Sequence, residues 1–146
     1  MLNRVGIEAS VETMPKAVYF KRASRGGPNK SPEFSFMLLG WGAGSGEASS
    51  PLKALLHTYD KSKGLGAANR GRHSDAEVDK LVKQALATVD ADARGALLAK
   101  ATEKAVGENY GVIPMHYQVN TWAAKAGYKY LPRTDERTIV TGLSNN

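Results

Sequence analysis

Four glycines at alternate positions, Gly40, Gly42, Gly44 and Gly46, are the residues of this chain that most invite a chemical reading. They follow the apolar run Phe36, Met37, Leu38 and Leu39, and Ser50-Pro51 beyond them can start a helix. A strand feeding a glycine loop and then a helix is where α/β proteins cradle phosphates. The dinucleotide fingerprint Gly-x-Gly-x-x-Gly fails in both frames, because its sixth position is Ser45 counted from Gly40 and Glu47 counted from Gly42. The phosphate-loop ending Gly-Lys-Ser/Thr is absent as well. Two readings remain. The stretch is a flexible strand-to-helix turn, or it is a loop whose main-chain N–H and C=O groups approach some other ligand.

The other reactive side chains do not assemble. His57, His73 and His116 lack the paired spacing of metal ligands. The absence of cysteine removes disulfides, thiolate nucleophiles and Cys-ligated metals. Ser45 has Ala43 where a nucleophile elbow needs glycine. Glu77, Asp79 and Glu103 read as solvated helix-surface acids. Nothing forms an acid–base pair that the sequence can defend. Trp41, Tyr117 and Trp122 stand at or near expected strand ends, as walls of a small-molecule pocket or as core packing.

The elements that must position these residues read as follows. Residues 1–5 end a helix at Gly6. Residues 7–13 alternate apolar and polar, the pattern of a half-buried strand. Pro15 opens a helix over residues 16–24. After a polar turn cluster, residues 34–40 form a continuous apolar strand covered on both faces. Strand, helix and strand predict a βαβ unit and a mostly parallel sheet. A short helix runs from Ser50 to about Thr58, and a glycine-rich basic loop spans residues 59–73. Two helices then form a hairpin. The first covers residues 74–89 with a Ser74/Glu77 capping box, and the second runs from Asp90 or Asp92 to about Val106. Residues 111–126 are extended, and residues 127–146 are an irregular tail.

With 146 residues the chain is long enough for one domain with a core. Its longest apolar run falls far short of the about 18 residues of a membrane span. The N-terminal stretch, interrupted by Glu8 and Glu12, is not a signal peptide. The net charge is +6, and Lys16, Lys21, Arg22, Arg25 and Lys30 form a basic stretch without an acid. That charge supports an alternative reading as a small basic nucleic-acid-binding protein, although no nucleic-acid module accompanies it. A nucleotide-binding enzyme domain is the lesser alternative.

Several segments in order resemble the C-terminal part of family 5 extracellular solute-binding proteins, the dipeptide, oligopeptide and nickel-type receptors of ABC importers. They are FMLLGWGA at residues 36–43, NRGRHSDAEVDKLVKQA at residues 69–85, Ala93-Arg94, and GVIPMHYQVNT at residues 111–121. The resemblance implies a fragment of a two-lobed receptor with a periplasmic-binding-protein-like α/β fold. Residues 1–126 would then form part of the second lobe, and residues 127–146 a tail packed on the first. It implies a small solute, peptide-like or other, held between the lobes, ABC permease subunits as partners, no nucleic acid, and a protein that is not an enzyme and carries no cofactor or metal. Location would be periplasmic or lipid-anchored. A sheet edge left bare in the fragment would invite dimerisation. By position, Trp41, Gly42, Ala43, Gly44 and Ser45 would line the cleft, with Asn69 and Tyr117 as further ligand-binding candidates. Peptide-binding members carry Asp three residues after this Trp, and here that position is Gly44. No carboxylate therefore waits there for a peptide ammonium.

Overall fold

Among the described residues helices form where capping residues and a 3.6-residue apolar period agree, and sheet is confined to one two-stranded hairpin. The structure, a computed structural model, describes residues 2–133 and 135–145, with Arg25 described by its backbone alone. Met1, where the first expected helix end begins, and Thr134 and Asn146 of the expected tail lie outside the described residues. The chain divides into two units, Met1–Leu38 and Leu39–Asn146.

In the first unit, Leu2–Val5 is a single 3-10 turn closed by Gly6 at φ 82°. Helix α1, Lys16–Arg25, follows Pro15. Its Arg22 gathers the flanking segments: the guanidinium donates to Glu12 at 2.9 Å and to Glu33 at 2.9–3.0 Å, and lies 5.1 Å from the centre of the Phe34 ring. Phe34 stacks on Tyr19, whose hydroxyl donates to the Leu38 carbonyl at 2.6 Å. The basic stretch thus has acids after all, brought to Arg22 from either side of the helix.

In the second unit, helix α2, Ser49–Pro51, continues as a wider π turn over Leu52–Leu56, closed by the His57 N–H donating to the Leu52 carbonyl at 2.9 Å. Helix α3, Ala76–Ala87, and helix α4, Ala91–Thr102, form the expected hairpin. Asp75 caps α3 by accepting from the N–H groups of Glu77 and Val78, one residue later than the sequence pattern suggested. Ser74 instead shares a hydrogen bond with Thr58. Asp90 caps α4 through the Ala93 N–H. Helix α4 also widens into a π turn, Glu103–Glu108. The core is small and alanine-rich: Leu52, Leu56, Val78, Val82, Ala85, Leu98, Ala101 and Ala105 pack together, with Leu55, Leu81 and Leu97 at its margin.

The expected α/β lobe with a mostly parallel sheet does not form. Among the described residues the sheet consists of two short antiparallel strands, β1 (Tyr128–Tyr130) and β2 (Leu143–Asn145), with Tyr130 opposite Leu143. The segments read as strands at residues 7–13 and 34–40, and the extended segment 111–126, enter no ladder. Their apolar side chains are exposed: Val11, Phe36, Leu38, Met115 and Val119 all stand largely in solvent. The physical reason is that apolar alternation fixes an extended backbone but supplies no neighbour. A ladder requires a second strand in register for every N–H and C=O.

Candidate functional site

The glycine loop ends beside a cavity of about 450 Å³ within the second unit. Ser45 enters it from the loop, and Ser49, Ser50, Lys53 and Ala54 enter from α2 and its π turn. Gly64 and Ala67 close it from the following loop, and Leu86 from α3. Residues four apart on a helical turn share a face, which aligns Ser49 with Lys53 and Ser50 with Ala54.

The loop after α2 is held against the helix by main-chain bonds. The Gly66 and Ala68 N–H groups donate to the carbonyls of Lys53 and Ala54 at 3.0 and 2.9 Å, satisfying acceptors that the helix end leaves open. Gly66 has φ 60°, and a Cβ there would lie 2.4 Å from the His57 carbonyl oxygen, so only glycine permits this approach. Below the loop is a buried polar lock. Asn69 donates to the carbonyls of His57 and His73, at 3.0 and 2.7 Å, and accepts from the His73 N–H at 3.0 Å. His57 Nδ1 faces two acceptors, the Thr58 carbonyl at 2.8 Å and Asp79 at 3.3 Å, so this nitrogen carries the hydrogen. His57 Nε2 is buried without a hydrogen-bond partner among the described residues.

The charges around the cavity are unequal. Glu47, the acid nearest the loop, accepts from Arg94 at 2.6 Å and from the Ser49 hydroxyl. Arg94 first, and Ser49 second, hold its carboxyl below the ordinary 4.5. The carboxylate is therefore committed within the chain, both as a base and as a partner for a ligand cation. Lys53 forms no salt bridge among the described residues, and the hydroxyls of Ser45 and Ser50 have no partner there either. One ammonium, free hydroxyls and the apolar Leu86 suit a small solute that presents a carboxylate or another acceptor group.

The residues expected at the ligand are only partly brought together. Ser45 lines the cavity, whereas Trp41, Gly42, Ala43 and Gly44 are exposed beside it in sequence and do not line it. Asn69 is buried and its polar atoms are turned to the chain itself. Tyr117 is 99% exposed. Lys53, Leu86 and the Gly64–Ala67 side of the wall were not legible as site residues, although the four-residue spacing of Ser49 and Lys53 was a usable signal. No group of three His, Asp or Glu side chains suited to a metal ion occurs among the described residues. No helix among them is long and apolar enough to cross a membrane.

No protein-family model, curated protein or solved structure matches the chain.

Proposed function

We propose that the chain is a solute-binding component of an ABC importer, or a part of one. It would capture a small solute between two lobes and present it to a membrane permease. Ordered motifs support this reading, from the Gly-Trp end of the apolar run to the Val-Asn segment at residues 119–120. The observation that carries it is the cavity at the end of the glycine loop, where Ser45 meets Ser49, Ser50 and Lys53. Gly40, Gly42 and Gly44 have open space where a Cβ would stand and no left-handed backbone, so neither crowding nor φ demands glycine there. Bare main chain available to a ligand is a use that fits them. With Glu47 committed to Arg94, the loop offers no carboxylate to an ammonium, and Lys53 favours the carboxylate end of a solute.

Three probes separate these features: a free dipeptide, its N-acetyl form and its C-terminal amide. The first two should shift the amide resonances of Ser45, Ser49 and Ser50, and the amide should not. Lys53→Ala should abolish the shifts. Binding to this chain alone should be weak, because a two-lobed cleft needs both walls. Absence of any shift, shifts that survive Lys53→Ala, or submicromolar affinity by calorimetry would each overturn the proposal.

A further inference from the structure

We infer that the C-terminal hairpin carries a second binding site, independent of the glycine loop, for a small carboxylate that bears an aromatic ring. A cavity of about 270 Å³ opens there, walled by Trp122, Tyr128, Tyr130 and Leu143, with Lys125 and Thr138 also lining it. Its walls are fixed by the hairpin. The pairing of β1 with β2 sets Tyr130 opposite Leu143. The Tyr130 hydroxyl donates to the Arg137 carbonyl and accepts from the Ile139 N–H, both at 3.1 Å. The Trp122 indole N–H donates to the Thr138 hydroxyl at 3.0 Å. Its ring lies 5.7 Å from that of Tyr130, tilted by 36°. Gly142 makes room for the arrangement, since a Cβ there would come within 2.9 Å of the Tyr130 ring.

These bonds decide what the cavity can take. The polar ends of Trp122 and Tyr130 are both engaged inside the hairpin, so an occupant meets their ring faces. Ring faces reward an aromatic occupant through offset stacking. The volume lies just under the ~300 Å³ at which drug-sized sites begin, which limits the occupant to one ring or two fused rings. The charge at the edge is positive. Lys125 has no ion-pair partner among the described residues, whereas Asp135 of the same hairpin is already held by Arg133. Arg133 depresses the Asp135 carboxyl to about 2, so that pair persists even in mild acid. An anionic substituent therefore finds a free cation, and a cationic one would be repelled by it.

Phenylacetate and its uncharged analogue phenylacetamide test both halves of the inference by NMR at the Trp122 indole resonance. That resonance is identified by its persistence in Trp41→Phe. Phenylacetate should shift it saturably, and phenylacetamide should bind about threefold more weakly, as expected for one exposed ion pair. Lys125→Ala should erase the difference between the two probes, with circular dichroism of the helices confirming that the variant is folded. Failure to saturate, equal binding of both probes to the unmodified chain, or a shift that tracks chain concentration, as a second copy filling the cavity would produce, overturns the inference.

Discussion

Asn69 holds three main-chain groups at once, which makes a single amide the keystone of the loop beneath the cavity. Truncating it leaves the His57 and His73 carbonyls and the His73 N–H without this partner in a largely buried setting. Asn69→Ala should therefore cost about 3 kcal/mol, measured by urea denaturation, because unmade buried hydrogen bonds cost about 1–3 kcal/mol each. An unchanged midpoint would show that the loop re-pairs on its own. Legibility at this scale followed sequence distance. Asn69 stood out within a recognisable segment, but its partners depend on how a loop folds back. The fate of Glu47 was hidden, since Arg94 lies 47 residues further along the chain. A pairing of that separation is a product of the fold and leaves no local pattern.

Helices carried their own signatures. Pro15 precedes α1, Asp90 starts α4, and the inward Val78, Val82 and Ala85 of α3 repeat at helical spacing, so these three helices were readable in advance, although the α3 cap falls at Asp75 and not at Ser74. Strands carried only half of theirs, because a pairing partner is not written in the strand itself. The caps also give the protein a pH dependence. Asp75 is held below its ordinary 3.8, chiefly by the Val78 N–H and then by the Asn109 amide at 2.9 Å. Its folded value is depressed, so the unfolded chain binds the proton more readily. The stabilisation is complete above 3.8 and is lost as pH falls through the folded value. Asp75→Ala should melt several degrees lower at neutral pH and lose part of the acid-side slope, as followed by circular dichroism across pH 2–6. Parallel curves for the two proteins would show that Asp75 contributes nothing to the titration.

For the whole molecule, the helical hairpin and the extended segments should behave as different materials. Residues 112–126 form no ladder and expose Met115, Tyr117 and Val119, while Val78, Val82 and Ala101 are fully buried. Hydrogen exchange should therefore be nearly unprotected over residues 112–126 and slow across α3 and α4. Uniform protection would mean that another surface covers the extended segment in solution. The composition pointed to a foldable chain with a core, and that core exists. What composition could not convey is that so much apolar surface would remain outside it.

The widened turn at the end of α4 sets where that outer surface points. Across Glu103–Glu108 the Asn109 N–H reaches back to the Lys104 carbonyl, one residue further than an α-helix requires. Each helical residue rotates the chain by about 100°. Losing one residue after Ala105 would restore ordinary spacing and swing the departing chain by about that angle, with Leu98, Ala101 and Ala105 of the core still in register. The heading of everything after Gly111 thus depends on one extra residue in a single turn, a steering element built into the end of the helix.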